Sequence, residues 1–505
     1  MSGPAPYLDP DDLVAAGRDV PDEFRCRLTW SPAPAGSALG DAGVEIVLRC
    51  ERILRLLPGR RLVAQAQVDG RRVVLKLFLG VDAARYRRRE AHGCELLAAA
   101  GVATPALLGR VSAAGANATE GLLFEYLNDA RPLRAGDGCG VVAAAAQLAR
   151  LHQAGCRHED LHLDNFLLCG DTPARVALID GDGVRRVLGG RPLGRRGSID
   201  NLAVLCAQRS PLEDEALALV HAAYADQRGW RRAAAADQAG VAALTRATRR
   251  QRRARLRRYL RKVQRECSEY LCRRSWRHYL VRVRAPADPA LDALLADPEA
   301  VVRGGELLKA GNSATVVRAR AGAGSYIVKR YNQKNWRHAV RRALKPIARF
   351  RRAWVNGQGL HFLDIPTARP LALLERRFGP LRGVAYLVME DLGQVDLAAE
   401  VAAQGASDRR VAQVVRLFQA LRAAGISHGD TKASNFMVAA AGVALVDLDA
   451  VRLSTAGQAE DLRRFLANFA DQPEVHTRFV AAFAAAGIEL PAAQVGGVAR
   501  PPRRL

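Results

Sequence analysis

Three side chains in the first half of the sequence have the types and the spacing that phosphoryl transfer from ATP requires. Asp160 follows a histidine by two residues, Asn165 comes five residues later, and Asp180 closes a short apolar run. In this chemistry one carboxylate accepts the proton of the attacking hydroxyl, while an amide and a second carboxylate hold the metal ion. The spacing is the H-x-D-x-x-x-x-N pattern of kinases. We therefore predict that Asp160 is the base and that Asn165 and Asp180 bind Mg²⁺.

The sequence repeats this arrangement once, in its second half. Asp430, Asn435 and Asp447 stand in the same order, with Asp430 as the predicted base and the other two as Mg²⁺ ligands. Lys432, two residues beyond the base, is placed where it could contact the transferred phosphate. Because two chance matches with one internal order are improbable, the repeat favours two domains of the same kind.

Short strands precede each motif and must position it. In the first half, residues 44–48, 52–57, 62–68 and 72–78 are predicted as strands, and Lys76 lies inside the last of them. A buried ammonium group is unfavourable unless it is paired. We predict that Lys76 holds the α- and β-phosphates of ATP and pairs with Glu90 on the following helix. The alternative is a surface lysine that buries only its aliphatic stem.

Each set of strands also contains a turn that we predict to lie above the phosphates. In the first half this is the turn at Gly59. In the second half it is the small-residue turn of Gly311, Asn312 and Ser313, a composition that lets backbone amides approach phosphate oxygens. Lys329, in a later strand of that half, is the counterpart of the first lysine.

The second half departs from the first in one respect. No acidic residue occurs between Lys329 and Phe362, and Ala353 takes the place that Glu90 has in the first half. The partner of Lys329 therefore cannot be named from the sequence. One hypothesis is that only the first half transfers phosphate, while the second is a pseudokinase that binds substrate or membrane.

Other polar residues near the motifs are predicted to have supporting roles. His162 follows the first base by two residues, and an orienting or phosphate-facing role is favoured over metal binding. Asp164 and Asp182 are predicted to be structural. Asp200 and Asp461 each resemble the buried acid that anchors a kinase catalytic loop.

The formal net charge of +25 indicates an anionic partner, namely nucleic acid, a membrane surface or a phosphorylated substrate. Nucleic acid is the least favoured, because no recognisable nucleic-acid-binding module accompanies the charge. Residues 227–284 combine a run of arginines with a helical apolar stripe. Such a helix suits an anionic lipid surface, and a solvated connector helix is an equal alternative.

The first residues do not have the composition of a signal peptide, and no apolar stretch is long enough to span a membrane. All nine cysteines lie between Cys26 and Cys272, without a C-x-x-C pair or a zinc-like cluster. The sequence therefore predicts reduced thiols and a cytoplasmic location.

These observations predict an α+β fold with two tandem protein-kinase-like bilobal domains joined by a basic helical segment. The predicted parts are a lead-in segment 1–42, a first kinase-like domain 43–226, a basic helical connector 227–284, a second kinase-like domain 285–496 and a basic tail 497–505.

The chain resembles the lipopolysaccharide core kinase family, the Kdo kinase and WaaP-like branch of the protein-kinase-like fold, in two tandem copies. The residues that carry this resemblance are Lys76 to Phe78 with Glu90, Gly101 to Pro105, His158 to Phe166, Leu178 to Asp180, His428 to Phe436 and Val446 to Asp449. The resemblance implies ATP and Mg²⁺ as cofactors and a lipopolysaccharide core glycolipid, phosphorylated on heptose or Kdo, as the acceptor. It also implies a peripheral position at the cytoplasmic, anionic surface of the inner membrane. A protein kinase or a scaffolding pair is the remaining alternative.

Overall fold

The computed structural model describes residues 5–15, 19–33, 42–113, 119–171, 174–230, 234–284, 288–322, 324–332 and 348–489. They form an α+β protein with two compact units. Unit 1 comprises Met1–Gln208 with Ala216–Thr248, and unit 2 comprises Arg209–Glu215 with Arg249–Leu505. Each unit contains an antiparallel sheet and a group of helices.

Unit 1 begins with the short helix α1 (Pro10–Ala15) and a six-stranded sheet that closes into a barrel, in the order β1-β2-β3-β4-β6-β5. The strands are β1 (Phe24–Pro32), β2 (Glu45–Leu57), β3 (Arg61–Val68), β4 (Arg71–Phe78), β5 (Leu107–Ala113) and β6 (Thr119–Glu125). Side chains alternate between the two faces of a strand. Every second residue of β1 and β3 is therefore buried, and the apolar ones form the barrel core.

The first strand of the barrel lies inside the predicted lead-in segment. Phe24, Cys26, Leu28 and Trp30 are buried, and β1 pairs with both β2 and β5. The prediction of a loose lead-in is therefore wrong for β1. The alternation of apolar and polar residues is the signal for this strand, and the Pro, Gly and acidic residues around it obscure it.

The helix α2 (Ala83–Ala99) connects β4 to β5, and the helical part of unit 1 follows β6. Its elements are β7 (Ala130–Pro132), α3 (Gly138–Gln153), β8 (Cys156–His158), β9 (Phe166–Asp171), β10 (Ala174–Leu178), β11 (Val184–Arg186), α4 (Arg195–Cys206) and α5 (Leu217–Gln227). The alanines and leucines of α3 occupy the centre of the core. Of two single-turn 3-10 helices, Leu163–Asn165 contains the predicted ligand Asn165 and Gly181–Gly183 directly follows Asp180.

Unit 2 contains a seven-stranded sheet in the order β12-β13-β17-β18-β16-β15-β14. The strands are β12 (Tyr270–Arg274), β13 (His278–Val283), β14 (Glu306–Ala310), β15 (Ala314–Ala321), β16 (Gly324–Tyr331), β17 (Pro370–Phe378) and β18 (Leu381–Glu390), and the helices α7 (Pro289–Ala296), α8 (Pro298–Gly304) and α9 (Arg349–Phe362) accompany them. Phe350 and Trp354 of α9 are buried together with Tyr331 of β16. This helix therefore packs on its own sheet.

The helical part of unit 2 follows β18. Its elements are α10 (Leu397–Gln404), α11 (Asp408–Ala424), β19 (Phe436–Ala439), β20 (Gly442–Leu445), α12 (Gln458–Ala467) and α13 (Pro473–Ala485), with 3-10 turns at Ala433–Asn435 and Leu448–Ala450. Phe465 is surrounded by other phenylalanines, with ring centroids 5.1 Å from Phe436 and 5.0 Å from Phe479 in edge-to-face contact. Such pairs add to the stability that burial provides.

The long basic helix α6 (Ala234–Leu260) spans the division between the two units. Its apolar stripe is buried in unit 2, where Leu256 belongs to the core and Tyr259 stacks on Phe362 with ring centroids 4.2 Å apart. Val263, just beyond the helix, is also fully buried. This packing favours the connector hypothesis over insertion of the stripe into lipid.

One arginine of the basic run is itself part of the interior of unit 2. Arg252 is 1% exposed, and its guanidinium donates two hydrogen bonds to the carboxylate of Asp214, at 2.7 and 3.1 Å. A bidentate pair of this kind fixes the orientation of both groups. The charge of the run is therefore not all available to a partner.

The strands predicted at 62–68 and 72–78 are confirmed as β3 and β4, whereas the two predicted at 44–48 and 52–57 form one continuous strand, β2. Residues 270–283, which fall within the predicted helical connector, instead form β12 and β13 of the unit 2 sheet. The predicted tail 497–505 lies outside the described residues. Within the described ranges, no helix is both long enough and apolar enough to cross a bilayer.

Candidate active site

A cavity of about 950 Å³ opens between the barrel and the helical part of unit 1. Its walls come from the barrel strands, from the segment Phe124 to Leu127 that leaves β6, and from both motif loops. Five of the six predicted site residues of this half line the cavity, namely Lys76, Glu90, Asp160, Asn165 and Asp180. The fold thus brings side chains that are distant in sequence to a single site.

Lys76 is buried and lies between two carboxylates. Its Nζ is 2.7 Å from Oε1 of Glu90 and 2.8 Å from Oδ1 of Asp180. Glu90 is held in turn, because its carboxylate accepts hydrogen bonds from the backbone N–H groups of Gly181 and Asp182, each at 3.1 Å. The structure confirms the pairing of Lys76 with Glu90 and contradicts the alternative of a surface lysine.

Burial and mutual attraction set the charges of this cluster. Burial by itself lowers the pKa of Lys76, but the carboxylates of Glu90 and Asp180 outweigh it and raise that pKa above its ordinary value. Burial by itself raises the pKa of Asp180, but Lys76 and Arg61 hold that pKa below its ordinary value. Lys76 is therefore a cation and Asp180 an anion at neutral pH, the states that phosphate and metal binding require.

Asp180 and Asp447 share an uncommon backbone conformation. Their φ angles are 71° and 57°, in the left-handed region that few residues other than glycine adopt. Each residue directly precedes a single-turn 3-10 helix. Strained conformations persist only where the surrounding structure holds them. Both units therefore use the same local backbone geometry to present this carboxylate.

The loop of the predicted base in unit 1 is held at several points. Oδ1 of the exposed Asp160 is 2.9 Å from Nε2 of His162. Asn165 donates from its Nδ2 to the backbone carbonyl of Asp160 at 2.9 Å, which joins a predicted metal ligand to the predicted base. Asn201 donates from its Nδ2 to the carbonyl of His158 at 2.9 Å and so supports the loop from behind.

His152 supports Asn201 from the interior of unit 1. Its Nε2 donates to Oδ1 of Asn201 at 2.9 Å, and its Nδ1 accepts from the hydroxyl of Tyr224 at 2.6 Å. Asn201, the neighbour of the predicted anchor Asp200, thus supplies one bond to the loop backbone. Because charging an imidazole in this buried place is unfavourable, burial lowers the pKa of His152 to about 4.

We expect the free energy of unfolding of unit 1 to fall as the pH is lowered from about 6.5 to about 4, because the unfolded chain binds a proton at His152 over this range while the folded chain does not. The loss from this one group is about 3 kcal/mol at most. Urea unfolding at neutral and acidic pH would measure it, with His152→Gln as the control, since glutamine keeps an N–H donor but does not titrate. An equally steep pH dependence in both proteins would contradict this expectation.

In unit 2, Lys329 is also buried between two carboxylates. Its Nζ is 2.6 Å from Oδ1 of Asp447 and 3.1 Å from Oδ2 of Asp449. Asp449 also accepts hydrogen bonds from the hydroxyl of Tyr331 at 2.7 Å and from the guanidinium of Arg349 at 2.9 Å. Burial by itself raises the pKa of Asp447, but Lys329 outweighs it and lowers that pKa. The second lysine is therefore paired as firmly as the first.

The predicted base of unit 2 lies among cations and an amide. Asn435 donates from its Nδ2 to the backbone carbonyl of Asp430 at 2.8 Å and to its Oδ2 at 3.2 Å. Oδ1 of Asp430 is 3.8 Å from Nζ of Lys432 and 3.9 Å from a guanidinium nitrogen of Arg464. These contacts bring together three of the residues predicted from the second motif.

Asp461 anchors this loop as predicted. Its carboxylate accepts hydrogen bonds from the backbone N–H of His428 at 2.6 Å and of Gly429 at 2.7 Å. The hydroxyl of Thr431 donates to the backbone carbonyl of Asp461 at 2.5 Å. The acid is buried, so three directed bonds fix the loop against the start of α12.

The two lysines occupy equivalent places in their sheets. Lys76 pairs with Val63 on one side, the third residue of β3, and with Leu122 on the other. Lys329 pairs with Val316 on one side, the third residue of β15, and its other neighbouring strand is β18. Each lysine strand therefore lies between a strand that follows a turn and a strand that leads towards the helical part.

The predicted phosphate-covering turns lie at the start of β3 and of β15. Gly59 adopts a φ of 64°, and the cavity is lined in this hairpin by side chains of its strands, including Arg55 and Arg61. The turn of Gly311, Asn312 and Ser313 is fastened by Asn332. The cavity lining in the first hairpin therefore comes from residues of its strands, and Gly59 is not among them.

Residues 292–486 match the model of the lipopolysaccharide kinase (Kdo/WaaP) family. The match lies in the second half of the chain and covers less than half of the whole chain. It supports a phosphotransferase that uses an alcohol group as the acceptor. A kinase of this family uses ATP, and the lysine and carboxylate cluster of unit 2 falls within the matched residues.

Two solved structures are similar to parts of the chain. WaaP in complex with acyl carrier protein is 21% identical with a TM-score of 0.28, over 39% of this chain and 88% of that one. The BubR1 kinase domain is 14% identical with a TM-score of 0.24, over 32% of this chain and 62% of that one. No curated protein matches the chain. The family assignment therefore comes from the family model alone.

In unit 2, Asp449 is a site residue that the motifs alone did not predict. Both copies carry a second acid two residues after the predicted metal ligand, at Asp182 and Asp449. In unit 1, Asp182 pairs with Arg89 at 2.9 Å, while Glu90 takes the lysine. In unit 2, the second acid, Asp449, pairs with the lysine instead. The repeat of this acid in both halves could have marked Asp449 as a site residue. Whether the acid pairs with the lysine depends on the helix, which offers Glu90 in unit 1 and Ala353 at the aligned position in unit 2.

Proposed function

We propose that the chain transfers the γ-phosphoryl group of ATP to a sugar hydroxyl of the lipopolysaccharide inner core, with heptose or Kdo as the acceptor. The observation that carries this proposal is the set Lys329, Asp430, Asn435 and Asp447 inside the residues that match the family model. The position of the enzyme would be peripheral, at the cytoplasmic face of the inner membrane, where such an acceptor is made.

In this mechanism Lys329 binds the α- and β-phosphates of ATP. Asp430 accepts the proton of the sugar hydroxyl as its oxygen attacks the γ-phosphorus, and ADP leaves in line. Lys432 is placed to contact the transferred phosphoryl group. The same roles in unit 1 fall to Lys76 and Asp160.

Two residues in each unit would hold Mg²⁺. They are Asn165 with Asp180 in unit 1, and Asn435 with Asp447 in unit 2. The donor sets fit, because each offers an amide oxygen and an ionised carboxylate, and Mg²⁺ prefers oxygen ligands. When bound, the ion neutralises charge on the phosphates.

We further propose that both units are kinase domains in tandem. In support, each unit has a buried lysine between two carboxylates, the same strand register around it, and the same left-handed aspartate. The competing hypothesis is one active half, and the family model matches only the second half. The Lys76–Glu90 pair and the large cavity favour activity in unit 1.

The walls of the unit 1 cavity carry charges of both signs. Besides Lys76, the lining cations are Arg52, Arg55, Arg61, Arg89 and Arg185, and the lining acids are Glu90, Glu125, Glu159, Asp160, Asp164, Asp180 and Asp182. We infer that the arginines would meet the phosphate groups of ATP and of a phosphorylated core glycolipid.

The deciding experiment measures phosphate transfer from ATP to de-phosphorylated core oligosaccharide, with generic protein substrates in parallel. We expect phosphate on the sugar and none on the proteins. Transfer only to proteins would favour a protein kinase. Transfer to neither acceptor would favour a scaffold and would contradict the proposal.

Replacing Glu90 with glutamine is expected to lower transfer by unit 1 by roughly 10- to 100-fold, because a charge-assisted bond of about 1.5–3 kcal/mol that orients Lys76 is lost. The assay is ATP-dependent transfer with unit 2 inactivated. Glu95→Gln on the same helix is the matched control, since Glu95 is exposed. Equal activity of the two variants would show that the Lys76 pairing is structural only.

A further inference from the structure

Two hairpins of the unit 2 sheet end side by side and present apolar side chains to solvent. Trp276 lies in the turn between β12 and β13, and Phe378 ends β17. Their rings meet edge to face with centroids 5.8 Å apart. Trp276 is 63% exposed, Phe378 is 64% exposed and Leu381 is 40% exposed. We name these three residues the aromatic tip. A cluster of large exposed apolar side chains indicates a contact surface, whereas single ones are common.

Hydrogen bonds between the two turns hold the tip in one shape. The N–H of Gly379 donates to the carbonyl of Trp276 at 2.9 Å, and the N–H of Arg377 donates to the carbonyl of Arg277 at 2.8 Å. The guanidinium of Arg377 donates twice to the carbonyl of Ser275, at 2.6 and 3.0 Å. The two rings are thus ordered before any partner binds, so little conformational entropy is lost on binding.

The surroundings of the tip are cationic. Neither residues 270–283 nor residues 376–389 contain an acidic residue. The neighbouring Glu375 is buried and paired with Arg351 at 2.5 Å. The exposed arginines of the two hairpins are Arg273, Arg274, Arg277 and Arg376. An exposed aromatic pair is therefore surrounded by positive charge.

We propose that the aromatic tip docks unit 2 on an anionic lipid bilayer. The indole and phenyl rings would enter the interface, where tryptophan is favoured, and the arginines would meet lipid phosphates. An anionic bilayer is favoured as the partner because its negative charge complements the arginines around the tip. The inference rests on the proposed function, in which the acceptor is a glycolipid held in a membrane. The apolar stripe of α6 is buried, so it does not supply this contact.

Co-sedimentation of the full chain with vesicles tests the proposal. We expect binding to phosphatidylcholine vesicles that contain phosphatidylglycerol, much weaker binding to phosphatidylcholine alone, and weakening by salt. The double variant Trp276→Ala/Phe378→Ala should bind at least about tenfold more weakly, since burial of two aromatic side chains is lost. Arg273→Gln/Arg376→Gln should lose about fivefold per arginine.

The matched control is Leu188→Ala, which removes a fully exposed leucine from unit 1. It should bind vesicles as the wild type does. The proposal would be overturned if the double variant bound vesicles as well as the wild type does. It would also be overturned if the wild type did not bind vesicles. If the double variant instead loses self-association or binding to an oligonucleotide, the tip serves a second copy or a nucleic acid and the lipid assignment is wrong.

The vesicles contain no phosphoryl acceptor, so the docking proposal and the proposed function can fail separately. Transfer to soluble, delipidated core oligosaccharide should be unchanged in the tip variants. Transfer without vesicle binding would overturn the docking alone. Vesicle binding without transfer to any sugar acceptor would overturn the proposed function alone.

Discussion

Asp160→Asn and Asp430→Asn are each expected to remove one phosphorylated product while leaving the other. Asparagine keeps the shape of the predicted base but cannot accept the hydroxyl proton, so the affected unit should lose roughly 10²- to 10⁴-fold in rate. Transfer from ATP to de-phosphorylated core glycolipid, with the products separated and their phosphate positions mapped, would measure both losses. Two different missing products would mean that both units are kinases with distinct acceptor positions.

The control for this experiment is Asp408→Asn, which changes an exposed carboxylate on α11. It should leave both products in place. If Asp160→Asn and the control are indistinguishable while Asp430→Asn abolishes all transfer, unit 1 is a binding module. The reverse result would identify unit 2 as the binding module, even though the family model matches that half.

Asp449→Asn is expected to lower the activity of unit 2 by roughly 10- to 100-fold, because Lys329 loses one of its two charged partners, a contact of about 1.5–3 kcal/mol. The substitution keeps the size of the side chain, and the bonds from Tyr331 and Arg349 lose a charged acceptor. A displaced Lys329 should raise the KM for ATP together with the fall in kcat. A purely structural role would lower the unfolding temperature without this effect on the folded enzyme.

The clean measurement is made in the Asp160→Asn background, so that only unit 2 contributes. Asp182→Asn is the matched control at the equivalent place in unit 1, and it is measured in the Asp430→Asn background. Asp182 pairs with Arg89 and not with Lys76. The fall in activity caused by Asp182→Asn should therefore be several-fold smaller than that caused by Asp449→Asn. Equal losses at the two positions would show that the second acid acts in both units by some means other than orienting the lysine.

The parts of the site that are local in sequence could be predicted well. The loop spacing in each motif places Asn165 and Asn435 directly on the backbone of their bases, because five residues form one loop with a single 3-10 turn. The pairing of Lys76 with Glu90 was also predictable, since a buried cation in a strand needs an acid and the next helix offers one.

The parts that depend on distant contacts could not be predicted in the same way. In unit 2 the carboxylate that replaces Glu90 as a partner of the buried lysine is Asp449, which is separated from Lys329 by more than a hundred residues. In unit 1 a hydrogen-bonded chain from His152 through Asn201 supports the loop, and in unit 2 the carboxylate of Asp461 accepts bonds from the loop backbone. The loop sequence does not encode these contacts, because Asn201 and Asp461 lie on later helices.

The sequence alone was sufficient to predict the chemistry of the site, because residue types at fixed spacing within one loop define which groups can accept a proton or hold a metal. It did not determine where β1 and β12 to β13 belong. The structure places β1 in the barrel and the hairpin in the unit 2 sheet, although composition assigns them to a lead-in and a connector. Which sheet a strand joins depends on partner strands that lie far along the chain, and local sequence does not identify them. Tertiary contacts likewise decide that the apolar stripe of α6 is buried and that the aromatic tip is exposed.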